Sequence, residues 1–508
     1  MTKSMLASLT LMVLTLTLSA PAQDAPATQR DLSGTWLGLL KAGVTDLRLG
    51  FQFEKAKPSE SEKDSKRAEK DKDKSSSNQP SKEARQTDKK SSQKYIGKMV
   101  SIDQNNAVLP LTKITLEGDE IHLTMAFGIA TFQGKFNDKN DIAGTYEQSK
   151  QKFPLVLNKV EKLPTVLRPQ MPKKPYSYPT EDIVFENKKA NINLAGTLTM
   201  PKGDGPFPAV VLVTGSGPQD RDETLFGHKP FLVIADHLAK NGIACLRYDD
   251  RGIGKSGGKF AGSTTEDFAS DALAAIRYLK TLKRVDTTRM GICGHSEGGV
   301  IAPMVAATAP RDVAFIILLA GTGVSGEMVI KGQVADFSRL LGESEDKIKV
   351  GLAFRDVLIG VAKTAKSTEE AKPQMKEAAE SFIAKLENET DRKSYKELTG
   401  TAVDQLSAPW MRWFLGYDPA KILAKVKCPV LVLNGDKDLQ VKPDLNLPPI
   451  MEALGQAGNT QVTKVVFKDL NHLFQHCKTG AVSEYGIIEE TISPEVLQVM
   501  TNWIQQRK

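Results

Sequence analysis

A serine lies in a glycine-rich hexapeptide, GHSEGG, at residues 294–299. The apolar run before it, residues 290–293, predicts a short strand, and residues 300–308 after it predict a helix. A strand–turn–helix with glycines two residues before and after the serine is the pattern of a nucleophile elbow, in which a sharp turn exposes the hydroxyl. The pattern therefore predicts that Ser296 is a nucleophile.

A second serine, Ser256, matches the same G-x-S-x-G spacing. Its loop, residues 252–257, also fits G-x-G-x-x-G, so it competes as a phosphate-binding loop. The loop lacks the earlier glycine of a P-loop and follows the fourth predicted strand of its domain, not the first. Because neither a strand nor a helix directly adjoins Ser256, we favour a structural turn here.

A serine nucleophile needs a base, and the base needs an orienting acid. In a hydrolase built on the nucleophile elbow, the acid and then the histidine follow the serine along the chain. Two of the six histidines follow Ser296, namely His472 and His476. We favour His472, which lies in a loop just past the last predicted strand. His476 is four residues further on and is predicted to start a helix.

Two aspartates follow the predicted strand at residues 430–434. Asp436 lies beside Gly435, where its carboxylate can cap the turn. Asp438 lies at the tip of the loop, from which it can reach the histidine. We favour Asp438 as the acid that holds the imidazole tautomer and stabilises the imidazolium, with Asp436 as the alternative.

An oxyanion hole needs two backbone N–H groups beside the nucleophile. Glu297, directly after the serine, is expected to supply one of them. The loop after the third predicted strand, residues 214–218, is expected to supply the other. Ser216 is the first choice there and Gly217 the second, because small residues let the backbone approach the substrate.

The first 22 residues read as a signal peptide. Lys3 gives a positive start, residues 6–18 are apolar, and residues 20–22, Ala-Pro-Ala, offer a cleavage site. This predicts an exported protein, periplasmic or extracellular. The apolar run is short for a membrane span, and no other stretch is long enough, so no transmembrane span is expected.

Composition shifts divide the rest of the chain. Short alternating runs predict a small β-domain at residues 31–160, interrupted by a Lys/Ser/Glu-rich stretch at 55–94 that is expected to be disordered. A proline-rich linker, residues 161–180, leads to residues 181–508. There, continuously apolar strands alternate with helices, which predicts an α/β domain with an eight-stranded, mostly parallel sheet that begins with a hairpin.

About a hundred residues, 322–421, separate the sixth and seventh strands of this sheet and are predicted to form a helical cap. The cap ends in the aromatic stretch 410–414, which either binds an apolar acyl or aryl group or packs the cap down. A cap at this point in the chain lies over the carboxyl ends of the strands.

Charge and cysteine usage exclude several functions. Most of the net charge of +7 comes from residues 55–94, with 13 basic and 8 acidic side chains, so no nucleic-acid partner is expected. The four cysteines form no metal-binding pattern, and no metal or cofactor is expected. Cys428 and Cys477 are the one pair to test for a disulfide. No feature of the sequence predicts an oligomeric state.

The motifs TGSGPQDRD, RYDDRGIGKS, GHSEGG, NGDKDLQV and LNHLF together resemble the exported bacterial esterases of the α/β-hydrolase superfamily, near the serine aminopeptidase and dienelactone-hydrolase branches. The resemblance covers about residues 180–508, and the first part resembles the small β-domain that often precedes such esterases. It implies the α/β-hydrolase fold, a triad of Ser296, Asp438 and His472, and carboxylesterase activity on short acyl chains. The insertion at 55–94 departs from the family pattern.

Three functions follow from these residues. The first is hydrolysis of a small-molecule ester, with a short acyl or an aryl group, through an acyl-enzyme on Ser296. The alternative is a peptidase or amidase that uses the same triad. The third is a catalytically inactive binding protein on a hydrolase scaffold.

Overall fold

The computed structural model of the protein describes residues 30–42, 45–56, 95–104, 106–148 and 151–507. The predicted signal peptide, residues 1–22, lies outside these ranges. Of the predicted disordered insertion, residues 57–94 also lie outside them, and Lys55 ends a strand.

The N-terminal unit is a closed antiparallel barrel whose eight strands follow sequence order. They are β1 (Gly34–Ala42), β2 (Thr45–Lys55), β3 (Tyr95–Ser101), β4 (Ala107–Glu117), β5 (Glu120–Met125), β6 (Ala130–Phe136), β7 (Ile142–Gln148) and β8 (Gln151–Val160). Strand β8 closes the barrel on β1, with Leu157 opposite Gly38. Buried and exposed side chains alternate along β6, as expected for a sheet with one face in the core. The inward side chains, including Trp36, form this unit's own apolar core.

The C-terminal unit contains an eight-stranded sheet with the order β16-β15-β14-β13-β11-β12-β10-β9. Its strands are β9 (Thr180–Asn187), β10 (Ile192–Thr199), β11 (Phe207–Val213), β12 (Ala244–Tyr248), β13 (Val285–His295), β14 (Phe315–Leu319), β15 (Val430–Gly435) and β16 (Val462–Phe467). β9 and β10 form the predicted hairpin, β10 pairs antiparallel with β12, and all other pairs are parallel. The expected mostly parallel sheet is therefore confirmed. β13 begins five residues before the predicted strand because Val285 pairs with Phe207 across an irregularity in the register.

Eleven α-helices accompany the sheet in the described ranges. They are α1 (Pro230–Lys240), α2 (Thr265–Leu279), α3 (Gly298–Thr308), α4 (Gly326–Leu340), α5 (Glu345–Thr364), α6 (Thr368–Ala384), α7 (Glu389–Ser407), α8 (Pro409–Gly416), α9 (Pro419–Leu423), α10 (Pro443–Gln456) and α11 (Pro494–Gln505). Two short 3-10 turns, Ala126–Gly128 and Val482–Glu484, complete the elements. Helices α2, α3 and α10 pack on one face of the sheet, and α1 and α11 pack on the other. Both faces are covered, which explains why the central strands are apolar throughout.

Helices α4 to α9 lie between β14 and β15. Helices α4 to α8 form the cap, which has an apolar core of its own, whereas α9 packs on the sheet domain through Ala420 and Leu423. The aromatic stretch at its end attaches the cap to the sheet domain. The Trp410 indole donates to the Glu297 carboxylate at 2.7 Å, and the Trp413 indole donates to Glu266 at 3.2 Å. Of the two predicted roles for this stretch, packing the cap down is the one these contacts perform.

The linker between the barrel and the sheet domain is bonded to the latter. The Arg168 guanidinium donates to the carbonyls of Phe226, Gly486 and Ile488. The Gln170 side chain accepts from the backbone N–H groups of residues 491 and 492 and donates to the carbonyl of residue 492. Residues 168–170 are thus fixed by hydrogen bonds to three separate segments of the C-terminal unit.

All four cysteines are free thiols, so Cys428 and Cys477 are not joined in a disulfide. Cys245 and Cys293 are fully buried in β12 and β13, where burial raises the pKa of both thiols, that of Cys245 to about 12. In the part of the chain that the structure describes, no helix has the length and apolar character needed to cross a membrane.

Candidate active site

Ser296 lies on a strained turn between β13 and α3, with a φ of 53°. A non-glycine residue in this left-handed region is unfavourable and persists only where the surroundings impose it. The flanking glycines show what imposes it. A Cβ at Gly294 would lie 1.9 Å from the Gly298 carbonyl oxygen, and one at Gly298 would lie 2.1 Å from that of Val213. No side chain fits at either position, so the two glycines are required for the turn that presents the Ser296 hydroxyl.

His472 and Asp438 form a buried pair at the carboxyl ends of the neighbouring strands. The imidazole Nδ1 lies 2.8 Å from Asp438 Oδ2, and the two side chains are 5% and 0% exposed. Asp438 Oδ1 also accepts from the backbone N–H groups of Gln440 and Val441, each at 2.8 Å. These bonds fix the carboxylate, and the carboxylate fixes the imidazole with its proton on Nδ1. Nε2 is then the ring nitrogen that can accept a proton.

The two alternative residues occupy other places. Asp436 Oδ1 accepts from the backbone N–H of Asp469 at 2.6 Å, so this carboxylate caps a turn. His476 is exposed and its Nδ1 lies 2.8 Å from Glu490. The prediction that His476 starts a helix is wrong, because it forms an isolated antiparallel bridge with Leu470. The structure therefore brings Asp438, and not Asp436, to His472.

A second histidine connects His472 to the turn that carries Ser296. The Nε2 atom of His295, which directly precedes Ser296, lies 3.0 Å from the carbonyl oxygen of His472. The two imidazole rings are 4.8 Å apart between centroids. The backbone of His472 is thus held by the residue next to Ser296. The Ser296 hydroxyl itself makes no hydrogen bond to any described residue.

The loop after β11 packs directly on the serine. A Cβ at Gly215 would lie 3.3 Å from Ser296 Cβ, and the Gly215 N–H donates to Glu223 at 2.7 Å. The N–H groups of Ser216 and Glu297 have no acceptor within the described ranges, and the same holds for Gly217. Two sets of unused donors therefore lie beside Ser296, as an oxyanion hole requires.

Sequence reasoning missed one buried ion pair beneath the site, between Glu223 and His295. Their closest atoms, Oε1 and Nδ1, are 2.9 Å apart, and both side chains are buried. Burial alone lowers the pKa of His295, but the charge and hydrogen bond of Glu223 raise it, and the net shift is upward. Because Nε2 faces the carbonyl of His472, both ring nitrogens act as donors and the imidazolium form is favoured. Glu223 lies 72 residues before His295, so nothing in the sequence links the two.

Replacing Glu223 with glutamine is expected to lower the free energy of unfolding by about 3–5 kcal/mol, because it leaves a buried imidazolium without its counter-ion. The native pair stabilises fully below the ordinary histidine pKa of about 6.5, and this contribution is lost as pH rises through the raised pKa of His295. Urea unfolding of both proteins between pH 6 and pH 9 measures this. The difference should shrink with rising pH, and a constant difference would contradict the assignment. Exposed Glu452, replaced by glutamine, is the control.

The carboxylate of Glu297 ties the cap to the elbow. Its Oε1 accepts from the Thr265 hydroxyl at 2.6 Å and from the Trp410 indole at 2.7 Å. Burial raises the pKa of this carboxyl group. Since the backbone N–H of Glu297 is one of the unused donors, the position of the cap and that of the donor are coupled through one residue.

Asp250 holds the loop that follows β11, which carries Ser216. It accepts from the Thr214 hydroxyl and from the backbone N–H of Gln219, each at 2.9 Å. Burial raises the pKa of Asp250 to about 7, and the nearby carboxylates of Glu297 and Glu223 add to the rise. The RYDDRGIGKS segment therefore positions the loop that carries the unused donors.

Ser256 lies in a closed structural turn. Its hydroxyl donates to the carbonyl of Asp249 at 2.7 Å and accepts from the N–H of Ala195 at 2.9 Å. The N–H groups of Gly252, Ser256 and Gly257 all donate to backbone carbonyls. Because these donors are occupied, the loop offers no cradle for a phosphate.

The strand order, the strained serine after β13 and the aspartate and histidine after β15 and β16 are the defining features of one fold. The C-terminal unit of this chain has the architecture of the α/β-hydrolase fold. Within it, residues 230–476 match the sequence model of the family described as serine aminopeptidase, S33.

Individual proteins show similarity over comparable stretches. Esterase EstD of Thermotoga maritima is 31% identical over 293 residues, which are 57% of this chain and 60% of that esterase's length. An uncharacterised 31.7 kDa protein of Escherichia coli is 22% identical over 63% of this chain and 97% of its own. The solved structure of an esterase from Pyrococcus furiosus covers 65% of this chain and 92% of its own, with 15% identity and a TM-score of 0.38.

Proposed function

We propose that this protein is a serine hydrolase that cleaves carboxylic esters, with Ser296 as the nucleophile, His472 as the base and Asp438 as the orienting acid. The observation that carries the proposal is the buried Asp438–His472 pair at the same sheet edge as a serine on a strained, glycine-flanked turn. The similarity to a protein named as an esterase supports the same class of substrate.

The reaction begins when the Ser296 hydroxyl attacks the ester carbonyl and its proton passes to Nε2 of His472. The N–H groups of Glu297 and Ser216 donate to the oxyanion that forms. The tetrahedral intermediate then collapses, the C–O bond breaks, and the alcohol leaves with the proton from His472. Water attacks the acyl-enzyme with His472 again as the base, which releases the carboxylic acid and restores Ser296.

A small-molecule ester with a short acyl or an aryl group is the proposed substrate. A panel of p-nitrophenyl esters of increasing acyl length tests this, with turnover expected to be highest for the short chains. Labelling by a fluorophosphonate probe, followed by mass spectrometry, locates the nucleophile. Labelling is expected at Ser296. A folded protein that reacts with neither the probe nor any ester would be a binding protein on a hydrolase scaffold.

A peptidase or amidase is the second candidate, favoured by the description of the matching family as serine aminopeptidases. An amide leaving group must be protonated as it departs, and in this mechanism His472 would supply that proton as well. Parallel assays with a p-nitrophenyl ester and with aminoacyl and prolyl p-nitroanilides separate the two candidates. The ester proposal expects turnover of the ester only.

We also propose that residues 1–22 direct export, so that the enzyme acts in the periplasm or outside the cell. N-terminal sequencing of the protein recovered from each cell fraction tests this. A mature chain beginning at Gln23 outside the cytoplasm is the expected result, and an uncleaved chain confined to the cytoplasm would contradict it.

A further inference from the structure

Two open clefts in the cap share one wall. A cleft of about 310 Å³ lies mainly between α5 and α7, and one of about 370 Å³ lies toward α4 and α8. Four residues line both clefts, namely Val334, Ser338, Arg355 and Gln405. None of them belongs to the site around Ser296.

The three polar side chains in this shared wall are unused. Neither the Arg355 guanidinium, the Gln405 amide nor the Ser338 hydroxyl makes a side-chain hydrogen bond or an ion pair with any residue that the structure describes. The other three arginines of the cap are all engaged: Arg339 pairs with Glu345, Arg392 donates to the Leu386 carbonyl, and Arg412 donates to the Ala362 carbonyl. Arg355 is therefore the one arginine of the cap whose side chain has no partner among the residues that the structure describes.

Arg355 is also partly desolvated. Burial lowers the pKa of its guanidinium, and the one group that opposes this is the Tyr395 phenol. Asp391 and Glu343 line the same cleft. Burial raises the pKa of the Tyr395 phenol, and the negative charges of these two carboxylates raise it further. A cation taken from water without a counter-ion is unfavourable, and a bound anion removes that cost.

The second cleft adds an apolar surface next to the guanidinium. Its lining includes the side chains of Ile330, Phe337, Leu341, Leu406 and Met411. A ligand that matches both parts needs an anionic head and an apolar body. A carboxylate suits the head, because the planar guanidinium can donate two parallel hydrogen bonds to it.

We propose that the cap clefts bind an organic acid with an apolar chain, with its carboxylate on Arg355, Gln405 and Ser338 and its chain in the second cleft. The carboxylate belongs either to a free acid, such as the product of ester hydrolysis, or to an ester substrate that carries a distal carboxylate. The clefts share no lining residue with the site around Ser296, so binding of a free acid can be measured apart from the proposed reaction.

Calorimetric titration of the Ser296→Ala protein with octanoate and with 1-octanol tests the site without turnover. Arg355→Leu is expected to weaken octanoate binding at least ten-fold and to leave octanol binding unchanged. Arg355→Lys, which keeps the charge, should retain most of the affinity, and Arg339→Leu is the matched control. Thermal unfolding of each variant shows whether it is folded. Failure of folded Ser296→Ala protein to bind octanoate, or an equal loss in Arg339→Leu, would overturn the proposal.

Ester hydrolysis by proteins that retain Ser296 shows whether the carboxylate belongs to the substrate or to a free acid. If the substrate supplies it, Arg355→Leu lowers kcat/KM at least ten-fold for the mono-p-nitrophenyl ester of a dicarboxylic acid but not for p-nitrophenyl butyrate. If a free acid is the ligand, both esters are hydrolysed as before, and octanoate binding alone is lost. A chain that hydrolyses no ester yet binds octanoate through Arg355 would contradict the proposed reaction and support the cap site.

Discussion

Replacing Ser296 with alanine is expected to abolish ester hydrolysis, with kcat falling by on the order of 10⁶-fold, because no other group can form the acyl-enzyme. The fold should persist, since alanine and serine carry the same Cβ at the strained φ of 53°. Initial rates with a p-nitrophenyl ester and thermal unfolding of the same samples measure both effects. Activity above about a hundredth of the native rate in pure variant would remove Ser296 from the mechanism.

Ser256→Ala is the matched control, because Ser256 shares the G-x-S-x-G spacing. Its hydroxyl bridges Asp249 and Ala195 in a buried turn. We expect this variant to keep its catalytic rate and to lose about 1–3 kcal/mol of stability, the usual effect of unpairing a buried hydrogen-bonding group. The two substitutions should thus have different effects: Ser296→Ala lowers kcat, and Ser256→Ala lowers the free energy of unfolding.

Replacing Asp438 with asparagine is the second large effect, with kcat expected to fall by about 10⁴-fold. The remaining amide oxygen would still accept from the N–H groups of Gln440 and Val441. The amide NH₂ would then face Nδ1 of His472 and favour the tautomer with its proton on Nε2. In that tautomer His472 cannot accept the proton of Ser296.

Asp436→Asn is the control for this change. Asp436 is two residues away but caps a turn through the N–H of Asp469, a bond that asparagine can also accept. We expect its kcat to stay within about two-fold of the native value, since no reacting group is touched. Steady-state kinetics of both variants across pH 6 to 9 decide between the two acids, and a larger loss at Asp436 would reverse the assignment.

Much of the sheet could be predicted from the sequence because apolar runs and chain order carry the information. The eight strands and the position of the cap follow from continuous apolar segments and from the gap between β14 and β15. The start of β13 could not be found this way, since residues 286–289 are polar and fall in the irregularity between the Val285–Phe207 and Met290–Ala209 pairs. Strand ends of this kind depend on tertiary pairing and leave no periodic signal.

The candidate site also has some residues that the sequence predicts and some contacts that it does not. Chain order narrows the histidine to two residues, and chain order together with the predicted strand at residues 430–434 narrows the acid to two. The structure then places His472 Nδ1 2.8 Å from Asp438 Oδ2. The Glu223–His295 pair and the contact from Trp410 to Glu297 join segments 72 and 113 residues apart. Contacts of that separation depend on how the elements pack. Of the site residues, only the glycines and the serine of the 294–298 turn can be recognised from the local sequence, through their spacing.

The bonded linker decides where this chain can be divided. A shortened chain that began at residue 181 would keep all the strands of the sheet except the first residue of β9, but it would lose Arg168 and Gln170. The backbone groups at residues 226, 486, 488 and 491–492 would then lose their partners. The linker therefore belongs structurally to the C-terminal unit. An exchange of the barrel for another domain, or a fusion to the C-terminal unit, therefore keeps these hydrogen bonds only if its junction lies at the end of the barrel, close to Val160.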